Sequence, residues 1–315
     1  MFEKILFATS ASPTCDDAAR VAFELSRKNH SKLFVYHVFG LPSRGFGITY
    51  RDVRTGDHED VDENLVDLVK EEMTQYYEKQ AKDHPDCVFE TATGEPHTEI
   101  LRKARREDAS LIVMGSHTRP EDVGAMRHRI VAGSTMQKVA KSARCPVLIV
   151  SRPCVTCWSY FANIVVATDF SKPADYAFQF ARNVAKEIGC RLHVFHCVDL
   201  AHEPEASVNQ AYIEQQLAQA EQKVQERYVG GMGDFDNYVV AMREGTPHVE
   251  VLKYARENKA DLIVMAHHTR DVDPEKAMLG STIEQVVLRS ACPVLSVNHP
   301  DKVDVTPYGP PRAGE

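Results

Sequence analysis

Gly133-Ser134-Thr135 and Gly280-Ser281-Thr282 each stand at the head of an amphipathic stretch. Glycine lets a ligand approach the backbone closely, and hydroxyls beside the free N–H groups of a helix start can hold an anion. The same residue types are ordinary N-caps, so the tripeptide alone admits either reading. Upstream of each lies a His-Thr-Arg run, His117-Thr118-Arg119 and His268-Thr269-Arg270. An arginine near a helix start can grip phosphate through two parallel hydrogen bonds. A surface arginine without a ligand is the plainer alternative. Cys154 and Cys157 form a C-x-x-C pair that serves as inert thiols, a labile redox pair or half a zinc site. It precedes a strand rather than opening a helix, and no second such pair supplies further ligands, so inert thiols come first.

The remaining polar residues arrange no catalytic set. His37 and His196 share strand parity with apolar neighbours and read as satisfied structural histidines. His97 and His248 follow proline at helix starts, where capping or solvent exposure accounts for them. No paired carboxylates, Ser/His/Asp order or Cys/His/Asn set is legible. The loops ATSASPT and ATDFSKP lack the G-x-G-x-x-G dinucleotide fingerprint, and no G-x-x-x-x-G-K-[ST] phosphate loop occurs.

The elements that must position these residues are written twice. The stretch from Lys4 to Phe39 aligns without a gap on Asn163 to Val198, and Thr93 to Arg119 on Glu244 to Arg270. Each half then closes with Gly-Ser-Thr, an amphipathic stretch and Cys-Pro-Val-Leu. A unit half the chain long is a duplicated domain, not a solenoid repeat. The first half reads strand 4–9, helix 14–29, strand 32–39, helix 62–83, strand 87–92, helix 96–107, strand 110–114, helix 134–142, strand 146–150. Ile100, Leu101 and Ala104 recur at the spacing of one buried helix face. The runs ILFA, LIVM and VLIV are apolar on both parities, as strands covered on both faces should be. Alternating strands and helices predict two repeated α/β domains, each a parallel doubly wound sheet. Ligands of such sheets bind beyond the carboxyl ends of the strands, where strand order reverses. The expected divisions are a first domain over 1–151 with an insertion near 40–61, a connector over 152–162, a second domain over 163–298 and a flexible tail over 299–315. The insertion, rich in Gly, Arg and Asp, is expected to be a mobile excursion.

Composition narrows the classes. The chain has 315 residues, 43% hydrophobic and 26% charged, with a formal net charge of −8. That balance gives no general pull toward nucleic acid or an anionic membrane. No apolar run approaches the roughly 20 residues of a spanning helix, and the start lacks a secretory pattern, so a cytoplasmic location is expected. Eight cysteines then read as reduced thiols. Arg102, Lys103, Arg105 and Arg106 are matched by Glu99, Glu107 and Asp108, which predicts a solvated helix face.

The strand end ATD, the second-strand His-Val, Gly-x-Pro before a helix, LIVMGSH, Gly-Ser-Thr and CPVL together resemble the universal stress protein family in its tandem form. The resemblance covers nearly the whole chain. It implies five-stranded parallel α/β domains; the family's nucleotide-binding members hold ATP or AMP, with magnesium possible beside ATP. The family's phosphate signature is G-x-x-G, nine residues, then G-[ST]. On this chain, Gly115 fills the first glycine of the first half, Thr118 the second, and Gly133, Ser134 and Thr135 the end. Ala266, Thr269, Gly280, Ser281 and Thr282 take those places in the second half. The acidic position that holds ribose or base is Asp169 in the second half and Ser10 in the first, following Thr168 and Thr9. Val38 and Cys197 take the adenine-wall place, and Met114 and Met265 precede the phosphate loops. Arg119 and Arg270 are added candidates. The second half is therefore expected to keep adenine-nucleotide binding, the first to be weaker or altered. A slow ATPase using Asp169, or a scaffold that has lost nucleotide, are the alternatives. The final strands CPVLIV and CPVLSV are expected to pair within one chain, with a dimer of chains also open.

Overall fold

The computed structural model describes residues 2–39, 41–42, 48–51, 58–60, 63–82, 84–116, 134–151, 161–201, 209–266 and 280–297. The chain divides into two compact units, Met1–Ser151 and Arg152–Glu315.

The first unit runs β1 (Lys4–Thr9), a 3-10 turn (Pro13–Cys15), α1 (Asp16–Asn29), β2 (Lys32–Phe39), β3 (Leu41–Pro42), β4 (Ile48–Arg51), β5 (His58–Asp60), α2 (Glu63–Tyr76), α3 (Glu78–Ala81), β6 (Cys87–Thr93), α4 (Pro96–Glu107), β7 (Leu111–Gly115), α5 (Ser134–Ser142) and β8 (Val147–Val150). Its parallel sheet has the order β8-β7-β1-β2-β6. The second unit runs β9 (Asn163–Thr168), α6 (Lys172–Ile188), β10 (Arg191–Val198), α7 (Gln210–Arg227), a 3-10 turn (Val229–Gly231), β11 (Tyr238–Glu244), α8 (Pro247–Glu257), β12 (Leu262–Ala266), α9 (Ser281–Arg289) and β13 (Val294–Val297). Its order is β11-β10-β9-β12-β13, again parallel. Each unit is thus the expected doubly wound α/β sheet, with helices covering both faces.

The strands owe their burial to being apolar on both parities. Ile5, Leu6 and Phe7 on β1 are all buried, as are Ile164, Val165 and Val166 on β9. Local chemistry ends the helices. Ser171 caps α6 by accepting the Ala174 N–H at 3.2 Å, and Gly189 closes it in the left-handed conformation. Among the described residues, no helix is long and apolar enough to cross a membrane.

Three expectations change. The predicted helix over 62–83 is two helices, α2 and α3, separated at Tyr77, whose backbone leaves the helical range at φ −102° and ψ 11° while its ring is fully buried. The excursion over 40–61 contains an antiparallel arrangement, β3-β4-β5, in which Leu41 faces Thr49 and Tyr50 faces Glu59. Runs of two to four residues carry too little period to register as strands. Lys103, expected on a solvated face, is buried on α4 between Glu90 and Glu107, with its ammonium 4.5 Å from the Phe34 ring centroid. It lies on the same stripe as Ile100 and Ala104, so the helix turns it toward the sheet.

Candidate functional site

In the second unit, strand order reverses between β9 and β12, with β10 lying on the other side of β9. Ala167 of β9 is registered with Met265 of β12, so Thr168, Asp169 and Ala266 emerge together at the carboxyl edge. The first unit repeats this: Ala8 registers with Met114 where β1 meets β7, and Thr9, Ser10 and Gly115 follow. Met114 and Met265 are buried, Gly115 is buried and Ala266 half-buried.

The turn after the first strand has the same construction in both units. Thr168 Oγ1 accepts the Phe170 N–H at 3.0 Å, and Thr9 Oγ1 accepts the Ala11 N–H at 2.9 Å. Phe170 and Ala11 both take the left-handed conformation, φ 63° and 50°. Between them sits the residue whose identity separates the units. Asp169 is exposed, and its Oδ1 accepts the Ser171 N–H at 3.0 Å. Ser10 instead turns inward to Ser12 Oγ at 2.7 Å and Cys15 Sγ at 3.2 Å. The Thr9 and Thr168 hydroxyls are also engaged, each 2.6 Å from a buried tyrosine hydroxyl, Tyr77 and Tyr228.

The second strand contributes the wall. His196 Nδ1 lies 2.8 Å from the Thr168 carbonyl, and His37 Nδ1 2.8 Å from that of Thr9. A carbonyl oxygen only accepts, so both rings carry hydrogen on Nδ1. Burial holds both imidazoles below their ordinary pKa. These are the satisfied structural histidines expected from strand parity. Cys197 and Val38 follow, both half-buried. The Cys197 thiol donates to the Gly245 carbonyl at 3.3 Å, and burial pushes its pKa up to about 12, which keeps it an unreactive thiol. The six cysteines within the described residues stand as thiols, outside any disulfide.

The helix start resolves which member of Gly-Ser-Thr does the capping. Gly280 is the N-cap of α9, with extended φ −65° and ψ 142°, and as glycine it offers no side chain to cap the helix. Ser281 is already the first helical residue, so its hydroxyl and that of Thr282 are not N-caps. The Glu284 N–H makes the first helical bond, to Gly280 O at 3.1 Å. The N–H groups before it have no carbonyl to meet inside the helix. Because β13 runs parallel to β12, α9 must begin at the carboxyl edge that carries Asp169 and Ala266. Ser281 is exposed and Thr282 half-buried. In the first unit α5 begins at Ser134, and Thr135 is half-buried. Thr118, Arg119, Gly133, Thr269 and Arg270 lie outside the described residues, as do Cys154, Cys157 and the tail from 298. His97 contacts Glu95 at 3.1 Å beside the start of α4. Among the described residues, no cluster of three or more His, Cys, Asp or Glu could hold a metal ion.

Phe170, Asp175, Tyr77 and Tyr228 were not foreseen. The available signal was Tyr77 and Tyr228 falling at equal distances before the aligned segments that start at Thr93 and Glu244.

Each unit is thus a five-stranded parallel α/β domain with a helix starting at its switch point. The sequence model of the universal stress protein family matches residues 1–151 and 161–298, and the chain belongs to that family, in tandem form. A universal stress protein of Methanocaldococcus jannaschii is 30% identical over 145 residues, 45% of this chain and 85% of the relative. One from Bacillus subtilis is 29% identical over 162 residues, 48% of this chain and 99% of the relative. The crystal structure of a universal stress protein from Archaeoglobus fulgidus shares the fold at a TM-score of 0.60 and 23% identity, covering 95% of this chain and 97% of that one.

Proposed function

We propose that the chain is a cytoplasmic stress-response regulator that binds an adenine nucleotide, ATP or AMP, chiefly in its second unit. The observation that carries this reading is the α9 start. Gly280 caps it without a side chain, Ser281 and Thr282 keep their hydroxyls, and Asp169 stands exposed at the same edge. Phosphate suits the open N–H groups, through hydrogen bonding and the positive end of the helix dipole. A ribose hydroxyl suits the remaining oxygen of Asp169. Cys197 and Met265 would border the base, and Thr168 contributes the turn. Magnesium, if it accompanies ATP, would be held by phosphate and water. The first unit offers Ser10 in place of the carboxylate, already bonded to Ser12 and Cys15, which supports weaker or altered binding there. Val38, Met114, Gly115, Ser134 and Thr135 would line that second crevice.

Calorimetric titration of the full chain with ATP and with AMP tests the reading. Saturable heat is expected, with Asp169→Ala weakening binding about tenfold, the loss of one charge-assisted hydrogen bond. No heat and no shift in melting temperature at millimolar nucleotide would reject it in favour of a scaffold. Phosphate release above a blank, abolished by Asp169→Ala, would instead reveal a slow ATPase. Pairing of the final strands within one chain belongs to the same proposal; light scattering distinguishes monomers from a dimer of chains.

A further inference from the structure

We infer that Tyr228, held by Asp175 and Arg227, is a positioning residue that sets the turn presenting Asp169 to ligand in the second unit. The role assigned to Asp169 rests on the nucleotide reading above; the effect on the turn does not.

The hydrogen bonds admit one arrangement of protons. Arg227 donates to Asp175 through Nε at 2.8 Å to Oδ1 and through Nη2 at 2.6 Å to Oδ2. Tyr228 OH lies 3.0 Å from Asp175 Oδ1 and 2.6 Å from Thr168 Oγ1. A carboxylate paired with a guanidinium only accepts, so the phenol proton points to Asp175. The phenol oxygen must then accept from the Thr168 hydroxyl. Thr168 Oγ1, its own proton so directed, accepts from the Phe170 N–H at 3.0 Å. The chain of donors runs from Phe170 through Thr168 and Tyr228 to Asp175, with each group satisfied and no alternative direction.

What this chain fixes is the backbone on both sides of Asp169. Phe170 sits at φ 63°, a conformation that a bulky residue keeps only when its surroundings impose it. Its ring lies 4.3 Å from that of His196, tilted by 40°, and His196 Nδ1 holds the Thr168 carbonyl. Asp169 is therefore clamped between a threonine bonded at both its hydroxyl and its carbonyl and a phenylalanine pinned at its amide and its ring.

The first unit supplies an internal comparison. Thr9 and Tyr77 keep their 2.6 Å contact, but Asp16, at the position of Asp175, bonds to Tyr76 OH at 2.8 Å instead. Tyr76 itself occupies the position of Arg227. The fully directed chain occurs in the unit that keeps the acidic residue, and is interrupted in the unit where Ser10 replaces it.

Tyr228→Phe in the full chain isolates the hydroxyl, because the ring retains its packing on Phe178 at 4.4 Å. ATP affinity is expected to fall about fivefold, with no further fall when Tyr228→Phe is added to Asp169→Ala, and Tyr77→Phe should leave that affinity unchanged. Independently of ligand, hydrogen exchange at the Phe170 amide should accelerate about tenfold in Tyr228→Phe. A purely structural role would lower melting temperature and give additive losses with Asp169→Ala. Additive losses, or an affinity within twofold of the parent, overturn the positioning role. If the parent chain binds no ATP, the nucleotide reading fails by itself, and unchanged Phe170 exchange then sinks the effect on the turn as well.

Discussion

Lys103→Met is expected to lower the unfolding free energy by about 3 kcal/mol, the cost of removing one partner from a buried ion pair. The Lys103 side chain is 1% exposed, with Nζ 2.6 Å from Glu90 Oε2 and 2.9 Å from Glu107 Oε1. Methionine keeps the length and apolar stem over Phe34, so packing changes little. What remains is a pair of carboxylates only 31% and 25% exposed, still contacted by Arg106 at 3.4 and 3.3 Å. Partial solvent access and Arg106 hold the loss at the lower end of the range for buried pairs. The hydrogen bond from Lys103 is the main cause that holds the Glu107 carboxyl below its ordinary pKa, so the variant should also raise that pKa. The second unit fills the three equivalent positions with uncharged side chains, with Arg243 5.2 Å from the ring centroid of one of them. Tyr254 stands in place of Lys103, stacked 4.7 Å from Phe195 and bonded to His193 Nδ1 at 2.9 Å, with Ala241 and Asn258 at the two glutamate positions. Adding Glu90→Ala and Glu107→Asn to Lys103→Met should therefore recover at least half of the loss. Urea unfolding followed by circular dichroism measures both; an unchanged midpoint in the single variant would remove the ion pair from any account of stability.

The second large effect is acid sensitivity at His84. His84 is buried beneath α1, its Nε2 hydrogen-bonded to Ser26 Oγ and its ring against the edge of Phe23. Ser26 Oγ also lies 3.5 Å from the Phe23 carbonyl, and Nδ1 has no hydrogen-bond partner among the described residues. Protonation would charge a ring that burial has removed from water. Burial lowers the pKa from 6.5, partly countered first by the backbone of His84 itself and then by Asp86, and reinforced by Arg27 on α1. The sign follows from linkage. As pH falls below 6.5 the unfolded chain takes up a proton that the folded chain refuses, so stability is full above that value and declines as pH drops toward the folded pKa. The limiting slope is about 1.4 kcal/mol per pH unit for one proton. In the second unit these positions carry Phe235 and Ala185, both buried. Pairing His84→Phe with Ser26→Ala should accordingly be close to neutral at pH 7 and reduce the decline between pH 6.5 and 5. Ser26→Ala alone leaves the buried imidazole Nε2 without its partner and should cost about 1–3 kcal/mol. Equal pH slopes for the parent and the paired variant would exclude His84 as a source of the sensitivity.

Most of the frame was legible because its signals are local. Apolar runs such as ILFA and LIVM mark covered strands, and repetition of the whole pattern marks two domains. The rim was legible only in outline. Sequence located Gly280, Ser281 and Asp169, yet could not say that glycine, not serine, caps α9, since either type serves. Lys103 was misread because its charge balances along the helix, whereas its partner Glu90 belongs to another element. The tyrosines were missed for the same reason: Tyr77 meets Thr9 across 68 residues, and Tyr228 meets Thr168 across 60. Nothing short-range encodes such closures.

The central place of β1, between β2 and β7, has a consequence for biosynthesis. Its β2 side can be covered soon after the ribosome releases it, but its β7 side waits for a segment 106 residues later, where Ser110 and Lys4 exchange hydrogen bonds. At usual translation speeds that interval lasts roughly 5–20 s. Throughout it, Ile5, Leu6 and Phe7 present an open apolar flank, and β9 repeats the exposure in the second half. Nascent chains of this protein should therefore engage a ribosome-associated chaperone twice, once per half.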